Sequence, residues 1–411
     1  MIPRQRLDIE WSDLLAGGLF CLNPGSALPA LQEIASHWNG TGEALVTLSV
    51  RSGFDALLTS LDLPPGSEVL VSALTIQDMI SIISSHNLVA VPVDLDVDEL
   101  KVKEANLQRA VTSRTRMILV AHLYGCRMPL DGVATIAQQH ALILVEDCAQ
   151  AYNGDGFRGH PQSDVTCFSF GPIKTATALG GGLLRFKDPA LCARVRQLQD
   201  GWPQQSRWRF WKRVLRYAQL KFLNARPCFT VFVWLCGVCR INYDVFLQRS
   251  VRGFGGGNLL AQLRHRPCVP LIRLLARRLR QTKLKSVSHR VSRAHDALTL
   301  LSSERTVGAR APEHSHWVFP IQTPTPDELK EWLWRHGFDA TRGASSMIAV
   351  SSTGESSAQP ENVRSLMQRM LYLPVATCRN AAEVRRLCDC VKEFEDPRHV
   401  SPASPESSDV F

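Results

Sequence analysis

The sequence predicts an α/β chain built on a mostly parallel sheet, followed by a smaller α/β region. Strand-like and helix-like stretches alternate through its first half, the βαβ order that places helices on both faces of one sheet. The run Ala141-Leu142-Ile143-Leu144-Val145-Glu146-Asp147 is apolar without alternation until its last two residues, as a strand buried on both faces must be. With 411 residues, 45% of them hydrophobic, the chain is long enough for more than one core.

In chain order, Ala44–Val50 reads as a strand, Gly53–Leu61 as a helix, Val69–Ser72 as a strand and Thr75–His86 as a helix. Strands at Val89–Val93, Arg116–His122 and Leu142–Glu146 follow, with a helix at Leu130–Gln139 before the last of them. Asp164–Phe170 alternates and is broken by Gly171-Pro172, which makes it a further strand. A second region opens near Ser286 with helix-like Val291–Leu301, strand-like Trp317–Gln322, helix-like Pro326–His336 and a last helix at Ala381–Glu393. The expected organisation is therefore a large domain over 1–200, a basic and aromatic-rich helical insertion over 201–285, a small C-terminal domain over 286–397 and a disordered polar tail over 398–411.

Two residues in the large domain carry chemistry. Asp147 ends its strand at the carboxyl edge, where open α/β sheets bind ligands, and Lys174 follows the next strand on a turn beside the same edge. A lysine amine holds an aldehyde cofactor as a Schiff base, and a carboxylate at a strand end keeps a pyridine nitrogen protonated; together they read as pyridoxal phosphate chemistry. Taken singly, a strand-end Asp is more often a cap and a Lys more often solvated. Gly180-Gly181-Gly182 then offers backbone without side-chain bulk for a close approach.

The flanks of these residues form an ordered series. It runs through Ser52-Gly53 and Ala56-Leu57, Pro65-Gly66-Ser67-Glu68-Val69, Thr75, Pro92-Val93-Asp94-Leu95-Asp96 and Val120-Ala121-His122-Leu123-Tyr124-Gly125. It ends with Glu146-Asp147-Cys148-Ala149-Gln150-Ala151, Cys167-Phe168-Ser169-Phe170 and Lys174; weaker likeness continues at Phe319-Pro320 and Leu373-Pro374. The series resembles the DegT/StrS family of pyridoxal-phosphate-dependent sugar aminotransferases. The resemblance implies the type I (aspartate-aminotransferase-like) PLP-dependent transferase fold, a homodimer, and ping-pong transfer of an amino group from an amino acid, glutamate in the family, to a keto-sugar carried on a nucleotide.

Position by position, it implies that Lys174 links the cofactor and shuttles a proton, that Asp147 pairs with the ring nitrogen, and that Gln150 lies near the ring. It further implies that Ser169 and the backbone N–H groups of Gly53 and Phe54 hold the phosphate. Ile76 stands where the family commonly stacks an aromatic ring, Phe54 where it often has a hydroxyl, and only Asn242 and Asn258 are candidates for the partner-subunit asparagine. His122 reads equally as a substrate contact or a structural histidine. A dehydratase branch of the family has histidine where this chain has Lys174, so the lysine favours amino transfer. The rival readings are a non-catalytic scaffold of the same fold, a membrane-associated binding protein, and a PLP enzyme of another reaction type.

Charge is distributed unevenly. Residues 201–285 hold 18 Lys and Arg against Asp244 alone, a local +17, so the remainder carries −8. Here Trp208, Trp211 and Leu215 interleave with Arg209, Lys212, Arg213 and Arg216, and the apolar run Cys228–Cys239 is too short to span a membrane. Two readings stand: packing helices with solvated basic faces, or peripheral contact with an anionic membrane. Nucleic acid is not expected, because no recognition motif accompanies the charge. Nor is a metal expected, since Cys236 and Cys239 lack a second pair, and the twelve cysteines read as reduced thiols. Met1–Asp8 lacks the apolar core of a secretory signal, which predicts a cytoplasmic location.

Overall fold

A computed structural model of the chain describes residues 1–4, 7–38, 42–251, 258–281, 284–343, 346–351 and 359–395. The expected tail, 398–411, lies outside the described residues.

The centre is a seven-stranded sheet in the order Glu43–Thr47, Gly182–Phe186, Val165–Ser169, Ile143–Asp147, Thr115–Ala121, Glu68–Ser72, Val89–Val93. The five strands from Val165–Ser169 to Val89–Val93 are mutually parallel, and the first two pair antiparallel. Side chains on both faces are buried, as the continuous apolar runs require. Val69, Val71, Met117, Leu119 and Val145 meet the Val50–Leu61 helix on one face, while Leu70, Ile118, Val120 and Leu144 enter a separate core on the other. Register puts Ala121 beside Asp147 and Asp147 beside Cys167, so the carboxyl ends of three parallel strands converge at the aspartate.

Two boundaries differ from the sequence reading, each for a local reason. The first helix of the sheet domain starts at Val50, not Gly53, because Ser49 caps it: its Oγ accepts the Ser52 N–H at 3.1 Å. The predicted helix at Thr75 starts instead at Gln77, because Leu74–Ile76 forms an antiparallel pair with Met347–Ala349, a partner remote in sequence.

A second core lies in the C-terminal region. Ala294, Ala297, Phe319, Ile321, Leu329, Leu333, Leu371, Leu373, Val384 and Leu387 pack together around the antiparallel pair Phe319–Gln322 and Met370–Leu373. The predicted boundary at residue 286 falls inside the Leu284–Leu300 helix. Much of the basic block is bound into the large body. Phe210, Val214 and Tyr217 of the Arg207–Leu223 helix and Leu271, Leu274 and Leu275 of the Val269–Arg280 helix share a core with Leu14, Phe168, Phe170 and Leu183. Buried Arg278 is compensated there by Asp13 at 2.5 Å. Among the described residues no helix is long and apolar enough to cross a membrane.

Candidate active site

Lys174 sits on the turn after Val165–Ser169, its N–H bonded to the Gly171 carbonyl at 3.0 Å. Distant groups fix this loop. The Asp8 carboxylate accepts the Ala176 N–H at 2.6 Å, Arg278 donates to the Thr177 carbonyl at 3.2 Å, and the Thr177 hydroxyl donates to the Phe170 carbonyl at 3.2 Å. The Lys174 ammonium nitrogen lies 4.0 Å from the Trp317 ring centroid, and the Trp317 indole N–H is tied to the Ile173 carbonyl at 3.0 Å. Burial pushes the Lys174 amine down from 10.5 to about 8; Asp147 opposes that shift and Arg51 adds to it. At pH 7 such a lysine holds roughly 300 times more neutral amine than an ordinary one.

Asp147 is the complementary group. Its Oδ1 accepts the Ala149 N–H at 2.9 Å, and among the described residues Oδ2 has no hydrogen-bond partner. Burial raises its pKa, against the pull of the Ala149 N–H and of Lys174. Among the described residues the Lys174 nitrogen likewise has no hydrogen bond or ion pair. An open carboxylate oxygen and an open, largely dry amine at one sheet edge are the donor set that a pyridoxal ring and its aldehyde demand, so these residues fit that cofactor.

The other predicted residues fall out unevenly. Ser169 ends its strand with Oγ 3.4 Å from the Gly171 N–H, its own hydrogen uncommitted by that contact. Gln150 is held by the Tyr124 N–H at 2.7 Å and reaches Met347 Sδ at 3.6 Å, on the strand that pairs with Ile76. Gly53 and Phe54 are corrected. The Gly53 N–H donates to the Ser49 carbonyl at 3.0 Å and Phe54 is fully buried inside the helix, so neither offers a donor to an anion. Of the three N–H groups that precede the first intrahelical bond, that of Ser52 is taken by Ser49 Oγ, and those of Val50 and Arg51 remain.

His122 is corrected as well. It is buried, its Nε2 lies 3.0 Å from Glu146 Oε2, and its Nδ1 accepts the Met128 N–H at 3.1 Å, which leaves no ring atom for substrate. Cys148 lies within the same buried cluster, whose ligand atoms lie within 4.8 Å of one another; its thiol donates to Glu146 Oε2 at 3.6 Å, and burial holds it well above its ordinary value. Asn242 and Asn258 each cap a helix through Oδ1, which accepts the N–H groups of Asp244 and Ala261 respectively. Among the described residues, no cluster of possible metal ligands includes Cys236 or Cys239.

Gly182 explains part of the glycine run. A methyl group there would lie 2.5 Å from the Val50 nitrogen, so only glycine lets this strand pass the capped helix start. Gly182→Ala is expected to lower stability by about 1–3 kcal/mol, read as a shift of the denaturation midpoint, with a parallel loss of phosphate-ester affinity.

Sequence reasoning missed Trp317 and Arg290, which reach the site from far along the chain. Both line a cleft of about 860 Å³ that opens on Lys174, together with Lys221, Arg293 and Arg379. Arg290 forms no ion pair with a carboxylate among the described residues; it donates to the Ser315 carbonyl at 2.7 Å, and burial pushes it down to about 10. Trp317→Ala, by admitting water, is expected to move the midpoint of Lys174 capture by an aldehyde and borohydride upward from about 8, toward 10.5.

A parallel-sheet large domain, a smaller domain beside it, and a recessed lysine within electrostatic reach of a strand-end aspartate define a chain of the PLP-dependent transferase fold. Among solved structures, the aminotransferase TlmJ from Streptoalloteichus hindustanus is similar with a TM-score of 0.69 and 19% identity, over 96% of this chain and 98% of that one. The chain belongs to the DegT/DnrJ/EryC1/StrS aminotransferase family, whose model matches residues 10–221. It is 30% identical over 190 residues to a UDP-4-amino-4-deoxy-L-arabinose–oxoglutarate aminotransferase of Shewanella sediminis, covering 46% of this chain and 48% of that protein. It is 32% identical over 204 residues to a dTDP-3-amino-3,4,6-trideoxy-alpha-D-glucose transaminase of Streptomyces venezuelae, covering 48% and 52%. The matches thus span about half the length of these relatives.

Proposed function

We propose that this chain is a pyridoxal-phosphate-dependent aminotransferase that carries an amino group from glutamate, or a similar amino acid, to a keto-sugar linked to a nucleotide. The observation that carries the reading is the Lys174 amine, drawn down to about 8 by burial and set against the open carboxylate of Asp147. When bound, pyridoxal phosphate supplies an electron sink and a carrier for the amino group.

The protein's own groups then have distinct tasks. Lys174 would hold the aldehyde at rest and, once released, move a proton at the substrate carbon, a role its lowered pKa suits. Asp147 Oδ2 would accept the ring N–H and keep that nitrogen protonated. Ser169 and the helix start at Val50 and Arg51 would hold the phosphate, aided by the positive helix end. Ile76 and Gln150 would lie along the ring. Trp317 keeps water from the amine, and Arg290, partly offset by Asp8 but in no ion pair among the described residues, gives the cleft a positive charge for the carboxylate or phosphate of an incoming substrate.

The names of the relatives support nucleotide-linked sugars and oxoglutarate as the substrate pair. The same reading makes the chain a cytoplasmic homodimer, with residues 201–285 in peripheral contact with the inner face of an anionic membrane. Single-turnover absorbance tests the chemistry: glutamate is expected to convert the yellow protein to its amine form, and a keto-sugar nucleotide to restore it. No spectral change with any amino donor would reject amino transfer.

A further inference from the structure

The Trp11–Leu22 helix presents an outward side that amino transfer leaves unexplained. Trp11, Leu15, Leu19 and Leu22 recur at helical spacing along it, and Leu15 is 71% exposed. Its only charged residue, Asp13, faces inward and is paired with Arg277 and Arg278. The inner side is tight, since a methyl group on Gly17 or Gly18 would press on Leu274 or Trp211 at 3.2 and 3.1 Å.

The Arg207–Leu223 helix runs antiparallel alongside, Trp211 meeting Gly18 and the Lys221 ammonium lying 5.8 Å from the Trp11 ring centroid. It exposes Trp208, Leu215 and Phe222 between exposed Arg207, Arg209, Lys212 and Arg216. The Arg226–Val238 helix follows directly and adds Val231, Trp234, Leu235 and Val238, with no charged side chain after Arg226. Among the described residues, every exposed large apolar side chain except Val291 lies within residues 11–31 or 208–246.

We propose that these three helices form one docking face for an anionic lipid surface. The face goes beyond contact through residues 201–285, because Leu15, the most exposed large apolar residue among the described residues, lies on the Trp11–Leu22 helix. A concentration of apolar surface on this scale marks an interaction site. Tryptophans and leucines interleaved with arginines and lysines, on helices that expose no acid, complement a negatively charged headgroup layer. A second copy of the chain is the poorer occupant, since a twofold contact on this face would set its cations against themselves. Each helix is too short to span the bilayer and would lie in its plane.

Vesicle flotation of the full chain tests this. At low salt the protein is expected to float with vesicles containing phosphatidylglycerol, not with phosphatidylcholine alone, and to be released by salt. The exposed triple variant R209Q/K212Q/R216Q is expected to bind about a hundredfold more weakly, at about fivefold per cation. L15S/L19S is expected to bind at least about tenfold more weakly, with turnover of soluble substrate unchanged in both variants. Failure of the wild-type protein to float at low salt would overturn the proposal, as would flotation that L15S/L19S does not weaken. A fall in particle mass of L15S/L19S by light scattering would also overturn it, by identifying the face as a subunit interface. The flotation results leave amino transfer untouched, and it is measured separately on soluble substrate.

Discussion

Lys174→Ala is expected to reduce amino transfer by at least about 10³-fold and to leave protein that no longer retains a borohydride-reducible cofactor. The size follows from losing two functions at once, covalent attachment and the proton shuttle, the second alone being worth about 10²–10⁴. Folding is expected to survive. The Lys174 nitrogen has only the Trp317 ring as partner among the described residues, and the loop is held by Asp8, Arg278 and Thr177 through backbone atoms. Added methylamine is expected to recover part of the turnover, which a misfolded loop would not allow. Thermal melting alongside turnover checks both points.

Asp147→Asn is the second. Asparagine keeps an acceptor for the Ala149 N–H, so local geometry is preserved while the charge is lost. Turnover is expected to fall by about 10²–10³, the scale for removing one preorganised electrostatic partner from a site of this kind. The pH response gives a second readout. The Asp147 charge raises the Lys174 pKa, so its removal lets the amine titrate below about 8; capture by aldehyde and borohydride then begins at lower pH. That shift is opposite in sign to the one expected for Trp317→Ala, and a shared direction would contradict the electrostatic account of the pair.

The fold was legible because its signals are local. The unbroken apolar run before Asp147 and the Gly171-Pro172 break before Lys174 place both residues at one sheet edge from sequence alone. The start of the Val50–Leu61 helix was misplaced because its cap is set by a hydrogen bond that the sequence reading did not weigh, from the Ser52 N–H to Ser49 Oγ. That bond places Gly53 and Phe54 inside the helix, with the Gly53 N–H on the Ser49 carbonyl, and leaves Val50 and Arg51 at its start. His122 could be either substrate contact or structural residue until Glu146 and Met128 were seen to occupy both its nitrogens. Trp317, Arg290, Asp8 and Arg278 stayed hidden for another reason: their roles depend on chain segments that meet only in three dimensions. The outward side of the Trp11–Leu22 helix was missed because Leu14, Phe20 and Cys21 of the same helix do face a core.

The central claim is that the amine of Lys174 is the point at which this protein holds its cofactor. Incubation with pyridoxal phosphate, reduction with borohydride and peptide mapping by mass spectrometry measure it directly. One phosphopyridoxyl group per chain on the peptide bearing Lys174, formed with a midpoint near pH 8, is the expected result. Label spread over surface lysines, or concentrated on one lysine other than Lys174, would contradict it.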